Sequence, residues 1–267
     1  METIFEFVMV WLMDLGIYLA LYFIMASLAF FLFWKYYAEI YLPRRIQSKP
    51  KANELQIRNE IKRSLVTLLM FACLDVSIYL MEKAGYTLMY SDINEYGLVY
   101  FFLSIILMFL VHDTYFYWTH RIMHHKSIFK YIHKVHHESI DTTPYTSFSF
   151  HPIESFVEYS ISFVLVFMIP GHILSLIIFQ ILSTLFNVVG HMGYELYPTN
   201  WYRIPLLKYK TPSTHHNLHH SKFNGNYGLY FTWWDRWMGT EISETRERFE
   251  DITKRPLQLK PVVNVQL

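Results

Sequence analysis

Cysteine is almost missing: the one thiol, Cys73, lies inside an apolar run. That excludes a disulfide framework, a cysteine-based zinc finger and an iron–sulfur cluster. Charge is also scarce, at 17% of the 267 residues with a formal net charge of +1. Without a basic excess, nucleic acid is not the expected partner. An aromatic share of 19% is too high for a disordered chain. The N-terminus shows neither a basic n-region nor a small-residue cleavage site, so a removable signal peptide is not expected. No lipidation motif, low-complexity tract or internal repeat is visible, and the length allows one or at most two domains.

What the chain has in excess is apolar sequence and histidine. Apolar stretches run from Leu15 to Trp34, from Ser64 to Met81 and from Gly97 to about Trp118. A fourth block, Ile153 to Gly190, is broken at Pro170-Gly171 and reads as two short passes joined by a turn. About 20 residues at 1.5 Å each match the roughly 30 Å hydrocarbon core. The expected fold is an all-α integral membrane protein of about four to five spans with a helical cap. Residues 1–96 are expected to form a two-span region, 97–245 a second domain and 246–267 a cytoplasmic tail.

Lys and Arg set the orientation. Eight lie in Lys35–Arg63, four between Thr119 and Pro152, and ten from His191 onward; only Lys83 is left over. With a hairpin at 153–190, 22 of 23 fall on one face, which the positive-inside rule makes cytoplasmic. Asp14 is expected at the outer edge of its span, and Asp75 deeper, in either a pairing or a functional role.

All 14 histidines fall between His112 and His220, and the hairpin brings the dense groups to the same face. His120 and His124 are i,i+4; His133, His136 and His137 are i,i+3,i+4; His216, His219 and His220 repeat that pattern. Thr211 and Pro212 read as N-cap and N1 of the last of these helices. Asn187 and His191 form a further pair one turn apart. Neutral imidazoles one turn apart can grip a single ion, and nine histidines exceed the four ligands of one tetrahedral site, so two metals fit the number better. Helical geometry turns His112 away from His120 and places Asp113 near the His120 face, where it suits an orienting contact to an imidazole N–H. His125 and His215 are expected to be solvated or outside the ligand set. His172 belongs to the opposite membrane face, and no spacing decides His151.

The runs HDTYFYWTHRIMHH (112–125), YIHKVHH (131–137), FSFHPIE (148–154), NVVGH (187–191), THHNLHH (214–220) and NYGLYFTWWDRWMGT (226–240) resemble the fatty acid hydroxylase superfamily. Within it they most resemble the sterol desaturase branch, including C-5 sterol desaturases. The likeness covers roughly residues 95–245. It implies a membrane oxygenase with two iron ions per chain and O2 as co-substrate. The implied ligands, which also form the catalytic set, are His120, His124, His133, His136, His137, His191, His216, His219 and His220. Asn187 stands where relatives can carry a histidine, and a water held by its amide would complete that position. Asp235 and Arg236, in the WWDR run, brace the last histidine helix.

The resemblance further implies a lipid substrate: a sterol, fatty acyl chain, sphingolipid or alkyl ether, to be hydroxylated or desaturated. Electrons would come from a separate ferredoxin- or cytochrome b5-like donor. Tyr115, Phe116, Tyr117, Trp118, Trp233, Trp234 and Trp237 are expected to form an interfacial belt. Asn264-Val265-Gln266-Leu267 carries no dilysine retrieval signal, which leans towards a bacterial plasma membrane over the endoplasmic reticulum of a eukaryote. Two other readings compete. A membrane zinc hydrolase would lack the H-E-x-x-H signature. A metal transporter or sensor would want polar groups through spans that hold no histidine in the first two.

Overall fold

A computed structural model describes residues 2–47 and 52–258. The C-terminal stretch used above for the retrieval signal lies outside the described residues. Helix α1 (Glu2–Phe30) runs on through a π-helical segment, Phe31–Tyr36, to the short α2 (Ala38–Tyr41). The long α3 (Glu54–Lys83) and α4 (Gly97–Met123) follow, then the single turn α5 (Lys134–His137). Next come α6 (Pro152–Met168), α7 (Ile173–Gly190), α8 (Ser213–Lys222), α9 (Trp233–Met238) and α10 (Thr245–Lys254). Two-residue strands β1 (Met89–Tyr90) and β2 (Gly171–His172) pair in parallel at the end of the bundle away from the dense histidine groups.

Helix ends follow local chemistry. The Asn53 side chain accepts from Gln56 N–H at 2.9 Å and caps α3. Pro152 opens α6 behind the capping His151, and His172 caps α7 by accepting from Leu174 N–H at 3.0 Å. Helix α8 departs from expectation by one residue: it begins at Ser213, and Thr211 instead donates to Leu229 O. Its first turn is capped from elsewhere in the chain, by the Glu195 carboxylate accepting from Thr214 N–H at 2.9 Å.

Among the described residues, four helices are long and apolar enough to cross a membrane, with mean hydropathy of 1.8 to 2.2, yet only 17 to 33% of each apolar window is buried. Apolar surface turned outward on that scale suits lipid as the solvent, and helices keep every backbone group bonded there. Helix α6, at 17 residues, is slightly shorter and carries Glu154 and Glu158. Apart from the two-residue strands, the fold is thus a helical, multi-pass membrane protein, with the break at Pro170-Gly171 where the sequence puts it.

Span one differs from its expected start. Residues 4–13 are almost wholly apolar, so α1 begins well before Leu15 and Asp14 lies inside it, not at its edge. The polar end is marked by Glu6, which accepts from Lys83 Nζ at 2.7 Å and from the Tyr79 hydroxyl. Asp75 accepts from the hydroxyls of Tyr159 and Tyr18, a pairing that ties α3 to α6 and α1.

Tyr22, Phe71, Phe148 and Val188 centre one core between α1, α3 and α7; Met108, Ile161, Leu165 and Phe179 fill a second between α4, α6 and α7. The cap of α5, α8 and α9 sits over the ends of α4 and α7. Phe249 and Ile252 of α10 are fully buried beside α8.

Candidate metal centre

Nine histidines gather where α4 and α7 end beneath α5 and α8. They divide into two groups, His120, His124, His133, His137 and His219, and His136, His191, His216 and His220. Within each group, the ligand atoms lie within 4.8 Å of one another. The division follows the helical spacing. In α5 and the residue before it, the i,i+4 pair His133 and His137 faces the first group and His136 the second. In α8 the pair His216 and His220 faces the second group and His219 the first. Each i,i+3,i+4 run therefore serves both groups, with the one-turn pair on one side and the odd member on the other.

Every short contact inside the groups runs between Nε2 atoms. In the first group His120–His133 is 2.9 Å, and His124–His219, His124–His137 and His133–His137 are each 3.1 Å. In the second, His191–His216 is 2.9 Å, His216–His220 3.2 Å and His136–His191 3.3 Å. On five of the rings the opposite nitrogen meets a partner outside the group, while Nδ1 of His137, His216 and His220 is buried without one. His120 Nδ1 donates to Tyr227 O at 2.9 Å, His219 Nδ1 to Gly225 O at 2.7 Å and His191 Nδ1 to Asn187 O at 2.8 Å. His133 Nδ1 lies 2.6 Å from the buried Glu154 carboxylate, and His136 Nδ1 3.4 Å from Ser149 O.

Proton counting tests whether a metal fits. Burial, reinforced by the neighbouring imidazoles, holds His133, His136, His137, His216, His219 and His220 well below the ordinary imidazole range; burial holds His191 down to about 4. All are neutral at physiological pH, with one N–H each. A carbonyl can only accept, so His136 and His191 spend that N–H at Nδ1. Their Nε2 lone pairs then face each other at 3.3 Å with no hydrogen between them. This contact is not a hydrogen bond; a cation satisfies it. With metal–nitrogen bonds near 2.1 Å, neighbouring ligands in a coordination shell stand about 3.0–3.4 Å apart, close to the spacings here. Nδ1–H held by carbonyl or carboxylate with Nε2 turned inward is the usual ligand posture of histidine.

The other candidates fall in different places. Asp113 accepts from Tyr230 N–H at 2.8 Å, Phe231 N–H at 3.2 Å and Trp233 Nε1–H at 2.8 Å; it fastens the loop before α9 and touches no imidazole. Asp235 accepts from Tyr227 N–H at 2.9 Å and Gly228 N–H at 2.8 Å and lies 3.4 Å from His215 on α8. It thereby holds both α8 and the loop whose Tyr227 carbonyl orients His120. Asn187 donates its amide to Ser147 O at 2.7 Å. His215 is fully buried, not solvated, while His125 is exposed. His112 meets the Tyr230 hydroxyl at 3.1 Å, and His172 meets Ser91 O beside Phe101, nineteen residues down α4 from His120.

The sequence reading missed Glu154, the carboxylate on His133. It singles out Asp14 and Asp75 as intramembrane acids, although the same rule covers Glu154 and Glu158 in the fourth apolar block. It also had no signal for the carbonyls of Gly225 and Tyr227. Below the histidines, a cavity between α1, α3, α4, α6 and α7 is walled by Phe71, Phe116, Phe148, Phe150 and Phe179, with His120, His133, His136, His191 and His216 at its head. Of the expected aromatic belt only Phe116 reaches it; Trp237 is 66% exposed.

A family model described as Fatty acid hydroxylase matches residues 105–240. Over 197 residues, 74% of this chain, it is 33% identical to a Delta(7)-sterol 5(6)-desaturase of Gibberella zeae, covering 59% of that protein. It is 32% identical over 227 residues to the Lathosterol oxidase of Homo sapiens, covering 84% of this chain and 71% of that one. A Delta(7)-sterol 5(6)-desaturase of Schizosaccharomyces pombe is 31% identical over 84% of this chain and 71% of its own. The chain thus spans about three fifths to seven tenths of the length of these relatives. No solved structure matches it. Matched over half its length, through all the histidine groups, the chain belongs to the fatty acid hydroxylase family, in its sterol desaturase branch.

Proposed function

We propose that this chain is a di-iron, O2-dependent oxidoreductase that hydroxylates or desaturates an unactivated C–H site of a membrane lipid, with Delta(7)-sterols the first class to assay. The observation that carries the reading is the convergence of nine neutral imidazoles, five and four, at the head of an aromatic cavity that lies among apolar helices. Five imidazoles in one group exceed a tetrahedral zinc site and favour a metal that accepts more ligands. The relatives' names supply the substrate class, since those proteins are sterol desaturases and oxidases.

Bound iron would supply what side chains lack, O2-dependent removal of hydrogen from an unactivated carbon. The chain's own residues do the rest. Carbonyls of Gly225, Tyr227 and Asn187, with the Glu154 carboxylate, hold the Nδ1 protons of His219, His120, His191 and His133 and so keep each Nε2 bare and aimed. Phenylalanine walls keep water from the lipid carbon beneath them. A separate ferredoxin- or cytochrome b5-like donor would deliver electrons at the Lys- and Arg-rich face. That face is cytoplasmic by the positive-inside rule, in a bacterial plasma membrane or, as the eukaryotic relatives suggest, the endoplasmic reticulum.

Purified protein should hold about two irons per chain and consume O2 with a reductant and a Delta(7)-sterol. Full turnover in a zinc-loaded, iron-free form, or without O2, would overturn the proposal in favour of a hydrolase. Metal flux across vesicles without lipid oxidation would replace it with a transporter.

A further inference from the structure

Glu158 plays no part in the metal centre. It sits one turn beyond Glu154 on α6, about 6 Å further from the histidines along the helix axis. Its carboxyl lines the cavity and makes no hydrogen bond or ion pair among the described residues. Ser162, another turn on, lines the same wall and is likewise without a hydrogen bond there. Above them, Glu154 is 1% exposed, and its second oxygen, Oε2, is buried with no partner. Glu154, Glu158 and Ser162 thus make an i,i+4,i+8 polar line along the cavity side of α6. Across the cavity, Gln180 of α7 donates only a long 3.5 Å contact to Thr184.

An unpaired acid among apolar spans is costly and persists where something meets it. Asp75, the intramembrane acid of α3, is met by Tyr159 and Tyr18; among the described residues nothing meets Glu158. We infer that Glu158, with Ser162 beside it, forms a subsite for a hydroxyl of the lipid in the cavity, so that the oxidised carbon lies within a few bonds of that hydroxyl. A carboxyl group serves in either protonation state, accepting from the hydroxyl or donating to it. Mid-chain positions of a plain acyl tail have no such group and would leave Glu158 unpaired. The inference rests on the reading of this cavity as the lipid site, and it makes Glu158 a positioning residue for substrate.

The test is equilibrium binding by the full chain in nanodiscs, using cholesterol and cholestene, which differ in the 3-hydroxyl. One hydrogen bond to the buried acid corresponds to wild type preferring cholesterol about tenfold. Glu158→Leu should bring that ratio below about two, while Glu158→Gln, which still bonds a hydroxyl, keeps most of it. Should the leucine variant not fold, the ratio for Glu158→Gln combined with Ser162→Ala carries the test and should fall at least about threefold. A wild-type ratio near one, an unchanged ratio in the variants, or equal weakening of both probes overturns the subsite. Because binding needs no turnover, discrimination without sterol-dependent O2 uptake would count against the proposed reaction alone.

Discussion

Replacing Glu154 tests the metal centre through a residue that is not a ligand. Its carboxylate lies 2.6 Å from His133 Nδ1, and both side chains are almost fully buried, so solvent does not screen the contact. Leaving one member of a buried hydrogen-bonded pair without its partner costs about 1–3 kcal/mol, or roughly 5- to 150-fold at about 1.4 kcal/mol per tenfold. That range overlaps the 10- to 100-fold loss of metal affinity that follows removal of a residue orienting a ligand. Glu154→Gln keeps the shape and an acceptor oxygen but is the weaker acceptor, so at most about tenfold weaker binding is expected. Glu154→Ala strands the imidazole N–H and should cost about 100-fold. Only the five-histidine group contains His133, so the loss should be selective. In a chelator titration followed by elemental analysis, metal content should fall from two towards one at a chelator concentration that leaves wild type full. If both variants, folded by circular dichroism, keep two metals with the wild-type midpoint, the orienting role is wrong.

Three further outcomes are expected. His136→Ala and His219→Ala, one from each group, should abolish activity and metal retention in elemental analysis. His172→Ala should keep both, losing only about 1 kcal/mol in denaturant unfolding with the α7 cap; equal metal losses in all three would refute the ligand set. The metal-free protein should lose stability as pH falls from 6.5 towards 4: His191 titrates near 4 when folded, so the unfolded chain takes its proton first, and the full contribution stands only above 6.5. A denaturant midpoint no lower at pH 5 than at pH 7.5 would contradict this. Chelation should raise amide hydrogen exchange in α5 and α8 while leaving α1 and α3 protected, because α8 buries one large apolar side chain, Leu218, and is otherwise polar. Uniform exchange throughout would show that metal does not hold the cap.

The membrane architecture was legible because span length and outward apolar surface are properties of one segment at a time. The turn at Pro170-Gly171 and all four apolar blocks could be read without knowing what they pack against. Where the reading failed, a partner elsewhere decided the outcome. Apolar residues 4–13 extend α1 because Glu6 finds Lys83 and Tyr79, some 70 residues away, to end it. Helix α8 starts one residue late because Glu195 supplies the cap that Thr211 was expected to give. Asp113, which helical geometry places near His120, turns instead to the loop at 230–233, whose return to α4 no local spacing encodes.

The same division runs through the metal centre. Spacing of i,i+4 puts two imidazoles on one face whatever the surroundings, so the grouped histidines stood out, and an i+3 member offset from the pair already implied a second direction of ligation. Spacing could not say that two such runs, on α5 and α8, would meet so that each serves both groups. Nor could it exclude satisfied core histidines. That exclusion comes from the protons: once backbone carbonyls take the Nδ1–H of His136 and His191, no hydrogen remains for their facing Nε2 atoms. The facing Nε2 lone pairs of His136 and His191 repel each other in a core and are drawn together only by a cation. The carbonyls that aim the ligands are therefore as much a part of the site as the ligands, and they are the part that residue types alone cannot display.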